Sequence, residues 1–193
     1  MLTKRTPNMD ALFLENTLEQ YRGAISPEGL CICERIEEVM MMCARGNPVY
    51  EQISSFAIAL YVLGYFDCPD LMEVPDPDMD PARAGQILQE DFIPVYAEDI
   101  PVNYRITESA EKYMLIAGDP LFPVHFAILT DATSNRPLFS KLPFFGSGFD
   151  TIEELVKELA GIDGIKAEDF HYFREKPQGG IPADSRGKIY ILK

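Results

Sequence analysis

Apolar residues recur at helical spacing through roughly the first hundred positions, and in short β-branched and aromatic runs after that. Ala11, Leu14, Leu18 and Tyr21 fall on one face of a predicted helix over residues 10–22, which Gly23 ends. Ser26-Pro27-Glu28 reads as a capping serine followed by proline at the first helical position. The second predicted helix therefore starts there and reaches about residue 44, with Leu30, Cys33, Ile36, Met40 and Cys43 as its apolar stripe. Asn47-Pro48 starts a third helix by the same logic, reaching about residue 65. Its last part is apolar on every side, as in a central buried helix or a subunit contact. Asp80-Pro81 caps a fourth, over about residues 82–90.

Beyond Pro101 the pattern changes. Residues 104–107, 113–117, 124–130 and 138–144 read as strands. The connections, among them Gly118-Asp119-Pro120, are too short for crossover helices, so the strands are expected to pair antiparallel. Asp150 and Glu153 are placed to form a capping box for a helix over about 151–160. Two further strands fit residues 170–174 and 188–192. The expected class is α+β. A mainly helical region, 1–100, precedes an antiparallel sheet with at least one packed helix, 101–193. The two regions either share one core or divide near residue 100.

The charge alters this picture in the middle of the chain. The net charge is −14, and residues 67–99 hold Asp67, Asp70, Glu73, Asp76, Asp78, Asp80, Glu90, Asp91, Glu98 and Asp99 against Arg83 alone. Such a field repels phosphate backbones, so nucleic acid is not the expected partner; the acid serves either solubility, the commoner reason, or a basic protein partner. The longest apolar run, residues 56–66, has eleven positions where about 20 are needed to span a bilayer, so no membrane partner is expected. No apolar stretch follows the basic residues at the start. The expectation is a cytoplasmic protein with Cys31, Cys33, Cys43 and Cys68 as reduced thiols.

Four features carry candidate chemistry. Phe145-Gly146-Ser147-Gly148-Phe149-Asp150 links a predicted strand to a predicted helix, and its glycines would let a ligand approach the backbone at Gly146, Ser147 and Gly148. It lacks the lysine of a phosphate loop, and Phe145 stands where a hydrolase elbow needs glycine. His125 lies on a predicted strand, on the face opposite Val124, Phe126 and Ile128. If those three face the core, the imidazole faces solvent or a groove, with Asp119 and Lys141 as potential acid–base partners. Asp76, Asp78 and Asp80 alternate like a calcium loop, but Pro81 and Ile87 occupy the two positions that need glycine and glutamate, so no metal is expected. Cys31 and Cys33 sit two apart on a helix, pointing away from each other. No cofactor fingerprint is present.

These features favour a non-enzymatic binding or regulatory protein acting through its acidic segment, with Asp76, Asp78 and Asp80 as contact residues. The alternative is a small hydrolase, transferase or ligand-binding domain. Its pocket would lie near His125 and the Gly146–Gly148 loop, with His125, Asp119 and Ser147 as catalytic candidates and Lys141 as a ligand contact. An exposed third helix would instead indicate a homo-oligomer.

Overall fold

A computed structural model describes residues 27–43, 53–65, 80–143 and 146–177. Helix α1, Pro27–Met42, buries Ile32, Cys33, Ile36, Val39 and, just beyond it, Cys43. Leu30, expected in the buried stripe, is instead exposed. The reason is Gly29, where an added Cβ would collide with the backbone of Thr107. That close approach turns the helix so that the face bearing Gly29, Ile32 and Ile36 points inward.

Helix α2, Ser55–Leu63, is buried along its whole length. It starts later than Asn47-Pro48 suggests. Ser54 is its cap, accepting from the Ala57 amide at 3.1 Å. Polar contacts tie it to α1: the Tyr61 hydroxyl donates to the Glu38 carboxylate, and the Arg35 guanidinium lies 5.8 Å from the Tyr61 ring centroid. Helix α3, Pro81–Asp91, begins as the sequence predicts, with the Asp80 carboxylate accepting from Arg83 N at 2.8 Å. The helix expected over 10–22 and the strand expected over 188–192 lie outside the described residues.

Six strands form one antiparallel sheet: β1 Phe92–Val95, β2 Tyr113–Asp119, β3 Phe122–Leu129, β4 Leu138–Leu142, β5 Gly146–Asp150 and β6 Phe170–Glu175, in the order β1-β6-β2-β3-β4-β5. Helix α4, Ile152–Asp163, connects β5 to β6. Its cap is Thr151, one residue later than predicted: Thr151 Oγ1 accepts from Glu154 N at 3.1 Å, and the Glu154 carboxylate accepts from Thr151 N at 2.9 Å. Residues 104–107 do not form a strand. They make a turn-rich segment held by a single bridge, Arg105 to Asp131, and by Tyr104 packed edge-on to Tyr113 at 4.9 Å.

The register sorts the side chains into two layers. Ile116 pairs with Phe126, Ile128 with Phe139, Phe139 with Phe149 and Lys141 with Ser147, so these residues share the first face. Helices α1 and α2 pack on it: Phe56 meets Phe126 edge-on at 4.8 Å, Tyr65, just beyond α2, stacks on Phe92 at 6.1 Å, and Ser147 bonds the end of α1. The second face carries Leu115, Ala117, His125, Ala127, Leu129, Leu138, Ser140 and Leu142, and these are buried as well. Helix α4 buries Leu155 and Leu159 in the same core. The ends of the sheet are treated differently. The Ser147 amide on β5 donates to Cys43 O at 2.7 Å, so the end of α1 closes that edge, whereas β1 carries Pro94.

Candidate functional site

The residues that could do chemistry are concentrated on β3, β4 and β5, and the sheet separates them. His125 lies three positions before Ile128, and from His125 to Ile128 the strand pairs with β2 in unbroken register, ahead of the irregularity at Ala117 and Gly118, so it belongs to the second face. Ser147 and Lys141 lie on the first. The imidazole and the Ser147 hydroxyl therefore point to opposite sides and cannot act on one substrate. Asp119 is apart from both. It is exposed at the β2–β3 turn, where its carboxylate accepts from Leu121 N at 2.9 Å.

His125 is not at a solvent face, contrary to expectation. It is 2% exposed. The expectation assumed one covered face, but Ala127 and Leu129 beside it are apolar too, and both faces are covered. Burial, with a lesser contribution from the nearby Lys141 charge, pushes the His125 pKa down to about 3, so the ring is neutral near pH 7. Among the described residues its Nε2 has no hydrogen-bond partner, and neither does the Oγ of Ser140, also on the second face. Leaving such groups unpaired costs about 1–3 kcal/mol each, and native interiors contain few.

The Gly146-Ser147-Gly148 segment is strand rather than loop, paired with β4 from Leu142 to Ser140. Ser147 has a structural task. Its hydroxyl donates toward Cys43 O at 2.9 Å and Val39 O at 3.2 Å, satisfying carbonyls at the end of α1. Lys141 is buried, and its charge also reaches Cys43. Gly146 and Gly148, by contrast, share the second face with His125, Ser140 and the buried Asp150. The structure thus joins His125 with the two glycines and leaves out Ser147, Lys141 and Asp119.

Cys31 is exposed and Cys33 and Cys43 are buried, while Cys68 lies outside the described residues. Burial, reinforced by Glu37 and Glu34, pushes the Cys33 thiol up to about 11, and burial raises Cys43 as well, so both are inert thiols at neutral pH. Among the described residues no three His, Cys, Asp or Glu side chains converge on a metal position, and no helix is long and apolar enough to cross a membrane. Asp80 is the cap of α3; Asp76 and Asp78 lie outside the described residues.

Sequence reasoning missed Ser140 and Lys112. The Lys112 ammonium is buried and donates to Ser109 O at 2.6 Å and Ile106 O at 3.1 Å, which ties down the 104–112 segment. Ser140 could have been found. In Leu138-Phe139-Ser140-Lys141-Leu142 both alternate sets begin apolar, which marks a strand covered on both sides.

A second surface stands out for its exposure. Leu121 is 56% and Phe122 61% exposed at the β2–β3 turn. The turn lies against α3, where an added Cβ on Gly85 would strike the Leu121 carbonyl. Tyr96 and Val102 are exposed around the acidic pair Glu98 and Asp99, in the stretch that follows β1. No protein-family model, curated protein or solved structure matches the chain.

Proposed function

We propose that this is a non-enzymatic binding protein whose working surface joins the acidic segment 67–99 to the exposed Leu121 and Phe122. One observation carries the reading: two large apolar side chains more than half exposed at a turn packed on α3, the helix that directly follows Asp76, Asp78 and Asp80. Apolar anchors beside a field of one charge favour a partner that is basic and presents its own apolar side chain. Glu98 and Asp99, exposed beside Tyr96, extend the same chemistry. The buried state of His125, Lys141 and Ser147, and their division between two faces, speaks against the reaction centre that the sequence offers as its alternative.

The test has two steps. Partners recovered on the immobilised wild-type chain at low salt are identified, then titrated calorimetrically against variants. One variant carries Asp76→Lys, Asp78→Lys and Asp80→Asn, the last keeping a capping side chain. The other is Phe122→Ser. The expected result is a basic partner whose affinity falls steeply with salt and drops at least tenfold in each variant. Unchanged affinity in both variants would remove the proposal.

A further inference from the structure

We propose that the second face of the sheet contains a buried site for a small uncharged hydrogen-bonding ligand, water in the simplest case or otherwise a small alcohol or amide, held by His125 Nε2 and Ser140 Oγ. The site is independent of the acidic surface.

Three observations converge on it. The first is the pair of unpartnered polar atoms: both side chains are 2% exposed, on adjacent strands, and on the same face. The second is the floor around them. Ala117 stands opposite His125, Ala127 follows on the same face, and Gly148 stands opposite Ser140. Leu115, Leu129, Leu138 and Leu142 lie on the same face, and small residues on it stand beside the orphaned atoms, Ala117 and Ala127 at His125 and Gly148 at Ser140.

The third is the ladder between β3 and β4. It consists of Ile128 with Phe139 and Leu129 with Leu138, although both strands run on past these pairs. The Phe126 amide donates instead to Ser55 Oγ on α2, at 3.2 Å. The strands therefore part company where His125 and Ser140 lie. A helix-borne hydroxyl serves one freed backbone group on the first face. A ligand serves the freed side chains on the second.

The chemistry selects an uncharged ligand. The Lys141 ammonium belongs to the opposite face, burial keeps the imidazole neutral, and Arg174, on this face, lies at the far end of β6 paired with Glu111, so among the described residues no cation stands beside His125 and Ser140 to hold an anion. The buried Asp150 carboxyl is two residues beyond Gly148 on the same face and would oppose one. A neutral imidazole and a hydroxyl can each donate or accept, which suits a molecule with one donor and one acceptor.

The experiment uses the full chain with 15N-labelled histidine. Water-selective NOE spectroscopy reads contacts at the His125 ring, and native mass spectrometry reads any added mass. A persistent water cross-peak at His125 identifies water, and an added small mass identifies an organic ligand. Either supports the site, and Ser140→Ala should then abolish the signal and shift the Nε2 resonance. A bare chain with no water cross-peak, and with NOEs from the His125 ring only to apolar side chains, overturns it. Should Ser140→Ala fail to fold, Ala127→Val raises the floor instead, and retention of an unchanged signal there would equally count against the site.

Discussion

Acidification should destabilise this protein through His125, and the size of the effect follows from its burial. In the unfolded chain the imidazole titrates near 6.5; in the fold it titrates at about 3. Between those values the unfolded state binds a proton that the folded state refuses. Stability therefore rises with pH across the window and is lost as pH falls below about 6.5. At pH 5 the unfolded imidazole is almost fully protonated and the folded one is not, which costs about 2 kcal/mol relative to pH 7.5. The assay is urea unfolding followed by circular dichroism at both pH values, for wild type and His125→Gln. Other groups shift too: Asp91 is raised, chiefly by burial, and Glu111 is lowered, chiefly by its hydrogen bond from Tyr113. Both residues are present in both proteins, so they cancel in the difference between the two pH effects. The expected difference is about 2 kcal/mol, with the variant the less sensitive to acid. Equal pH effects in the two proteins would show that His125 takes up its proton in the fold as readily as in the unfolded chain and would refute the reasoning.

Ser147→Ala should lower unfolding stability by about 1 kcal/mol, the worth of one buried hydroxyl hydrogen bond, since Val39 O keeps the Cys43 amide and Cys43 O keeps the Ser147 amide. Thr151→Ala should cost about 1 kcal/mol in the same urea assay, and Thr151→Ser almost nothing, since serine rebuilds the box with Glu154. Gly85→Ala should destabilise by about 1–3 kcal/mol despite alanine's better helix propensity, because the added methyl meets a backbone carbonyl at Leu121 that cannot swing away. A higher midpoint in thermal unfolding for that variant would contradict the packing of α3 on the β2–β3 turn.

The helices were largely legible because their signals are local. Asp80-Pro81 predicts the start of α3, and the observed cap bond to Arg83 N is the one that pair implies. The apolar run at 56–63 announces a buried helix, and every residue of α2 is buried. The rotation of α1 was not legible, because it depends on Gly29 meeting Thr107, a residue 78 positions later. Strand β1 was hidden because Phe92-Ile93-Pro94-Val95 is four residues long and contains a proline, acceptable only because it lies at the sheet's edge. Strand β5 was hidden for a related reason. Gly146-Ser147-Gly148 reads as a turn, and only pairing with β4 makes it a strand.

The candidate site depends on information of a still less local kind. Alternation along β3 assigns His125 to the face opposite Ile128, and alternation along β4 and β5 keeps Lys141 and Ser147 together. None of these statements says which faces coincide. That is decided by the pairing of Ile128 with Phe139. A slip of one residue there would carry His125 to the side of Lys141 and Ser147 and assemble the acid–base set that the sequence suggests. What holds the actual register is aromatic packing on the first face: Phe126 against Phe56 of α2, and Phe139 against Phe149 at 5.2 Å. The same slip would expose those rings to the wrong layer, at the loss of several buried aromatic contacts. The packing that builds the core therefore also disperses the histidine, lysine and serine. It leaves His125 and Ser140 on the other face of adjacent strands, beside alanine and glycine, where the remaining chemistry is recognition of something small and neutral.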